Sequence, residues 1–308
     1  MATTVTPVIS NSIGLASRYL PILDEIYKRA AITGVLDTAE DRVRFDEQYH
    51  TFYLFETEMV GLADYSRNDG FVRGDVVSKW RPYAPQWDRG RQFLVDVLDN
   101  SESLSMSFGT LAGEFMRTQV VPETDAVRFA TYANGAYSGN KKAETISTAA
   151  DAVEAIDYAT AVLDDEEVPY EGRVLYVNPW YYKLIKGGIE RLVENGDRDV
   201  DYNVERYNNM RIITAPSGRF NTEITLAQPT AHDGAGGYTA TGSTINFMII
   251  HPSAVMQAVE MAEPRIFSPR ENQQARAWMY DFRQYHGAWV KHNKTQGIYV
   301  SAPSMPSA

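Results

Sequence analysis

The 308-residue chain contains no cysteine. Disulfide staples, cysteine-ligated metals and a cysteine nucleophile are therefore excluded. Its five histidines (His50, His232, His251, His286, His292) are scattered, and no HExxH pair sets two of them on one helical turn for zinc. His286 and His292 are near enough to share a hairpin, where packing or surface roles are the plainer expectation. Phosphate-cradling GxGxxG and GxxxxGK(S/T) loops are missing, and so is the GxSxG elbow of a serine hydrolase. Asp197, Asp199, Asp201 and Asn203 alternate like the start of a calcium loop. Tyr202 stands where that loop needs glycine and Asn208 where it needs the closing glutamate, so the EF-hand reading fails. No apolar run approaches the ~18 residues of a membrane helix. The start, MATTVTPVISNSIG, lacks the basic region and apolar core of a signal peptide. No cofactor or metal is expected on these grounds. Positive charge is scarce too: 29 Lys and Arg face 40 Asp and Glu, a net charge of −11. A chain built to grip phosphate backbones would draw its affinity from clustered cations.

What is present fits a folded α+β chain. Hydrophobic residues make up 44% and charged residues 22%, enough to bury a core in one large domain or two smaller ones. Tyr19 to Ala31 has helical spacing at Leu20, Leu23, Ile26 and Tyr27, and Asp37 to Asp46 reads as a linker. Residues 52 to 98 turn strand-like. Asn68-Asp69-Gly70 marks a tight turn, and Phe93, Val95 and Val97 alternate with Gln92 and Asp96. The expectation is a long two-stranded arm from Glu56 to Asp99, crowded with rings and charges. An amphipathic helix should follow over Ser103 to Gln119. Its stripe of Leu104, Phe108, Leu111 and Phe115 is spaced four, three, four, which makes one continuous face. Burying those four side chains stabilises by roughly 6–12 kcal/mol before entropy is subtracted. Pro122 can open a second helical segment whose face carries Ala126, Phe129, Ala130 and Ala133.

Beyond Asn140 the chain reads as an α/β unit. A helix is expected over Thr148 to Leu163, a strand over Arg173 to Val177, and a helix starting at Pro179. Strands are expected at Met210 to Thr214 and Ile245 to Ile250, and a helix over Pro252 to Met261. Trp278 to Val300 reads as paired strands joined by a turn near His292 to Thr295. The cluster GAGG (Gly234 to Gly237) reads as a flexible loop and matches no phosphate-cradling motif.

Several blocks are more specific: GLADYSRNDGFVRGD (Gly61 to Asp75), WDRGRQFLVD (Trp87 to Asp96), GEFMRTQVVPETDAVRFA (Gly113 to Ala130), IIHPSAVMQAV (Ile249 to Val259), PRIFSPRENQQARAW (Pro264 to Trp278) and HNKTQGIYV (His292 to Val300). Together with the order of elements, they resemble the HK97-type major capsid proteins of tailed double-stranded DNA phages. The resemblance implies an HK97-type fold: N-arm 1–50, E-loop 51–100, P-domain spine helix 101–138, A-domain 139–261, and P-domain C-terminal strands and tail 262–308.

It further implies a homo-oligomer: pentamers and hexamers closing into an icosahedral virion shell, assembled in the host bacterial cytoplasm. That shell would enclose double-stranded DNA without sequence-specific binding, with portal and decoration proteins as partners. Few residues precede the E-loop, so a separate scaffolding protein is expected. An encapsulin-type nanocompartment of the same fold is the alternative. The implied inter-subunit contacts are Arg67, Asp69, Phe71, Arg73, Asp75, Trp80, Arg81, Trp87, Asp88, Arg89 and Arg91; Leu104, Phe108, Leu111 and Phe115 would form the spine-helix core. Reversing the charge at Arg89 and Arg91 together is expected to block assembly and leave the subunit folded. Lys79 and Asn293 are the partners available for the lysine–asparagine cross-link that some relatives form, although no motif marks them.

Overall fold

The computed structural model describes residues 31–37, 43–46, 51–59, 61–65, 67, 71, 73–74, 76–96, 112–190, 204–229, 234–273 and 275–305. In chain order its strands are β1 (Val43–Asp46), β2 (Thr51–Met59), β3 (Val76–Tyr83), β4 (Trp87–Asp96), β5 (Lys141–Ala143), β6 (Val174–Val177), β7 (Arg206–Tyr207), β8 (Met210–Thr214), β9 (Ile224–Leu226), β10 (Tyr238–Ala240), β11 (Phe247–Ile250), β12 (Val255–Phe267), β13 (Ala277–Val290) and β14 (Ile298–Ala302). The helices are α1 (Val121–Gly135), α2 (Ala149–Asp165) and α3 (Pro179–Glu190).

A six-stranded sheet in the order β5-β14-β11-β6-β8-β7 holds the core. Every residue of β6, β11 and β14 is buried. Strands covered on both faces read as unbroken apolar runs, which is why VLYV and FMII show no alternation. The period of two survives in what each residue touches. Phe247 and Ile249 pack with Ile156, Leu163 and Ile185 of α2 and α3. Met248 and Ile250 face the other way, toward Phe129, Tyr132 and Ala133 of α1. Thr148 caps α2, accepting the Asp151 N–H on its hydroxyl at 3.2 Å. The predicted helical face Ala126, Phe129, Ala130 and Ala133 is buried throughout.

Helix α1 does not begin afresh at Pro122. It continues from a helical turn at 112–115 through a π turn, Met116–Val120. The widened turn bonds Val121 N–H to Met116 O just before Pro122, whose ring nitrogen has no proton to donate. Phe115 packs as the stripe requires, against Phe93, Tyr280 and Phe282. Leu104, Phe108 and Leu111 lie outside the described residues.

A second sheet, β12-β13-β4, lies against the start of this helix through Phe93, Tyr280 and Phe282 on one side and Ala112, Met116 and Val120 on the other. Three expectations are corrected here. Pro252 to Met261 is not a helix: only Pro252–Ala254 makes a 3-10 turn, and β12 takes the rest. Twelve-residue pairing with β13 overrides the helical spacing of that short segment. The segment Trp278 to Val300 does supply two strands, but they do not pair with each other. β13 joins β12 and β4, whereas β14 lies between β11 and β5 in the core sheet. Finally, β4 is not the second strand of the arm. It pairs with β13 from Trp87↔His286 to Asp96↔Ala277, and the arm is β2 paired with β3, with β1 as a third strand.

A buried polar clasp, unforeseen from sequence, ties the 3-10 turn Ile32–Leu36 to α1. The Asp125 carboxylate accepts from Ile32 N–H, Thr33 N–H, the Thr33 hydroxyl and Arg219. Arg128 donates to the Thr33 hydroxyl oxygen at 2.9 Å, and Gln257 donates to Thr33 O at 2.8 Å. Asp125 and Arg128 are each nearly inaccessible, and burial on this scale is tolerated only because the charges are paired and hydrogen-bonded.

Candidate assembly interface

Among the described residues the arm is fixed at one end. Phe52 and Leu54 of β2 are buried with Met256 and Trp289, and Tyr83 packs on the same Trp289 at 5.8 Å between centroids. The opposite face of the hairpin stays open. Phe55 and Trp80 sit side by side at 5.2 Å and are 50% and 41% exposed; Arg44 lies over the Trp80 ring at 4.8 Å. Past Met59 the sixteen positions before Val76 form no regular structure among the described residues, and all of those residues are exposed. Leu62 is fully accessible, and Tyr65 and Phe71 touch each other edge-on at 4.8 Å. A cluster of large apolar side chains in water calls for a partner surface.

The next block, WDRGRQFLVD, is handled in the opposite way. Arg89 forms a two-pronged pair with Glu123 of α1 (2.6 and 3.2 Å) and donates to Ala227 O at 2.8 Å and Gly237 O at 3.3 Å. Arg91 donates to Gly234 O at 3.1 Å. These bonds rivet β4, α1 and the β9–β10 hairpin loop together. Asp88 points away from them and pairs with Arg283 at 2.6 Å on the exposed face; that hydrogen bond holds its carboxyl below the usual range. Trp87 lies 5.5 Å from the His286 ring.

Beneath the rivet lies a cavity of about 1210 Å3, floored by Phe93, Phe115 and Phe282 and bordered by Gln119, the glycine-rich loop 234–237 and His286. His286 is buried with no hydrogen-bond partner at Nδ1. Burial, with Arg128 and Arg89 nearby, pushes its pKa down to about 3, so the imidazole is neutral. Among the described residues no group of three or more His, Asp or Glu is placed to hold a metal ion, and no helix is long and apolar enough to cross a membrane.

The sequence matches no protein-family model and no curated protein. Its architecture, however, matches solved structures over most of its length. A chain of Mycobacterium phage Che8 aligns over 87% of this chain and 95% of its own, with a TM-score of 0.57 and 14% identity. A chain from the capsid of the cyanophage P-SCSP1u aligns over 88% and 87%, with a TM-score of 0.59 and 13% identity. A virus-like particle from Pyrococcus furiosus gives 93% and 99%, with a TM-score of 0.52 and 13% identity. The fold is the HK97-type capsid fold.

Within this HK97-type fold, the expected contact residues fall into two groups. Arg67, Phe71, Arg73 and Trp80 lie exposed on the arm. Arg81 is half-buried on β3, and Asp69 and Asp75 lie outside the described residues. Trp87, Arg89 and Arg91 are turned toward their own subunit, and Asp88 is exposed on the far face of the same strand. Lys79 is exposed on β3, and Asn293 is exposed in the turn before β14. The clasp residues Thr33, Asp125, Arg128 and Gln257 escaped sequence reading, since an Asp and an Arg three apart look like an ordinary solvated helix pair. Arg173 escaped it as well. Its side chain is fully buried and donates to Pro169 O at 3.0 Å and pairs with Asp164 at 2.7 Å.

Proposed function

We propose that this chain is the major capsid protein of a tailed double-stranded DNA phage, a structural protein that assembles into pentamers and hexamers of an icosahedral head. The observation that carries the reading is the arm: anchored at its base, bare along one face and at its tip, and mounted on the HK97-type fold. A side chain such as Leu62 left wholly in water makes sense where another copy covers it. The net charge of −11 suits a wall that encloses DNA without adhering to it. Under this reading the division into N-arm (1–50), E-loop (51–100), spine helix (101–138), A-domain (139–261) and C-terminal P-domain strands (262–308) applies, with β4 serving the P-domain sheet. Assembly takes place in the host cytoplasm, with a portal, a scaffolding protein and, in some heads, decoration proteins as partners.

The test is to express the chain with its neighbouring genes and image the product by electron microscopy. Closed shells of uniform diameter are the expected result, and a small soluble oligomer under every condition would overturn the reading. The likeness to the Pyrococcus furiosus particle, which spans 93% of this chain, supports a second reading as an encapsulin-type compartment. The contents of purified shells separate the two: packaged DNA favours the phage head, and a protein cargo favours the compartment.

A further inference from the structure

Strand β13 carries a glycine well inside its length, where a residue without a side chain adds nothing to the packing and marks a close approach. Tyr285, Gly287 and Trp289 alternate onto one face of the strand, and His286 and Ala288 onto the other. A methyl group at Gly287 would overlap Cζ2 and Cη2 of the Trp289 indole and lie 3.0 Å from its Cε2. The ring therefore lies back along its own strand, over the space a side chain would fill. Ala258 of β12 is the residue paired with Gly287, so the bed beneath the ring is low on both strands.

The arm rests on the other side of this indole. Phe52 and Tyr83 pack on it with centroids 6.0 and 5.8 Å away, and Leu54 and Met256 complete the cluster. The same stretch of β13 holds the passage by which the chain leaves the arm. The Tyr285 hydroxyl donates to Pro85 O at 3.3 Å, and His286 O accepts the Gln86 N–H at 3.2 Å. Five consecutive residues, YHGAW (Tyr285 to Trp289), thus carry the ring platform and both bonds.

We propose that Gly287 and Trp289 form the pivot that aims the arm: the missing Cβ lets the indole lie flat, and the flat indole sets the angle at which the hairpin leaves the body. A ring in water would swing aside from an added methyl. Trp289 is only 7% exposed and is packed against Phe52 and Tyr83, so it moves only if the arm moves with it. The consequence for assembly rests on the shell reading, whereas the aim of the arm is a property of the single subunit. A subunit whose arm points elsewhere keeps its fold and meets its neighbours at the wrong angle.

The absence of native cysteine makes the test clean. Lys79→Cys on the arm and Ala161→Cys on α2 replace exposed residues, and both are spin-labelled. Pulsed electron paramagnetic resonance on unassembled subunits then reads the distance between them. One narrow distance is expected with the pivot intact, and a broad one would overturn the proposal. Gly287→Ala should broaden or shift that distance at unchanged circular dichroism, and the label-free variant should lose closed shells. Trp289→Leu should broaden it as well. Adding Gly287→Ala to that variant should change nothing more, because the ring that the methyl strikes has gone. An unmoved, narrow distance in Gly287→Ala, or a full further effect in the Trp289→Leu background, would overturn the pivot whether or not shells form. If Gly287→Ala fails to fold, Tyr83→Ala decides in its place. It removes the arm's own ring from the indole, and a distance as narrow as the native one would then sink the idea. Failure of the unmodified chain to form shells removes the shell reading and leaves the pivot to the distance measurement.

Discussion

The arm and the strand that follows it are neighbours in sequence and opposites in their physics. Both are rich in rings, arginine and aspartate. In the arm tip these side chains meet water or one another, as Tyr65 meets Phe71. In β4 they meet the rest of the subunit: Arg89 meets Glu123 and two carbonyls, and Phe93 meets Phe115 and Tyr280. Composition alone does not say whose contacts a segment serves; strand pairing does. Among the described residues β3 pairs only with β2, so its hairpin projects, whereas β4 pairs with β13 and is absorbed into the body.

The comparison breaks most sharply at the tip. Leu62→Ser with Phe71→Ser should abolish shells in the microscope while shifting the unfolding free energy by no more than about 0.5 kcal/mol, because Leu62 lies wholly in water and Phe71, itself exposed, meets Tyr65 of the same exposed tip. Equal loss of stability and assembly would mean that the tip belongs to the body after all. Arg89→Glu should do the reverse. It sets a carboxylate against Glu123 and leaves two carbonyls without their donor, so a cost of about 2–4 kcal/mol is expected in chemical denaturation. The sequence-based expectation that reversing Arg89 and Arg91 leaves the subunit folded is therefore replaced: the fold itself should weaken.

Much of this architecture was legible from residues alone, and the misses have a common cause. The core strands VLYV and FMII, the alanine-rich α2 and the proline-started α3 are local patterns, and each was found where expected. The buried face of α1 was found for the same reason, since helical spacing reports one-sided burial. What failed was pairing. β4 looks like the return strand of the arm because turn signals lie between it and β2, yet its partner is some 190 residues away. The clasp failed likewise. Asp125 and Arg128 are charged residues in a helix, and only Thr33, more than 90 positions earlier in the chain, shows that they are buried and why. Non-local pairing leaves little trace in a single sequence.

A pH series sharpens the comparison on the body side. His286 binds a proton readily in the unfolded chain, near its ordinary value of 6.5, and resists doing so in the fold until about pH 3. Between those values the unfolded state holds the extra proton, so stability is full above about pH 6.5 and falls as the pH drops, by about 1.4 kcal/mol per unit. His286→Phe should flatten that slope in denaturation measured from pH 7 to pH 4. A slope unchanged by the substitution would place the acid sensitivity elsewhere.

The smallest expected effect lies one residue from the rivet. Asp88 and Arg283 pair on the open face of the sheet, both well exposed, and the shifted titration of Asp88 below the usual carboxylate range concerns only strongly acid conditions. Exposed pairs contribute little to folding because water screens them and two long side chains must be held still. Arg283→Gln should leave the denaturation midpoint unmoved at physiological salt, in contrast to Arg89→Glu on the opposite face of the same two strands. If this pair has a use it is between subunits, where position and sign select a neighbour more than they bind it. Assembly of the Arg283→Gln chain should then differ from the unmodified one at low salt and converge with it as salt rises past the point where the screening length falls below about 8 Å. A midpoint that moves with this substitution would erase the distinction between the two faces of β4, and with it the claim that only the inward face holds the subunit together.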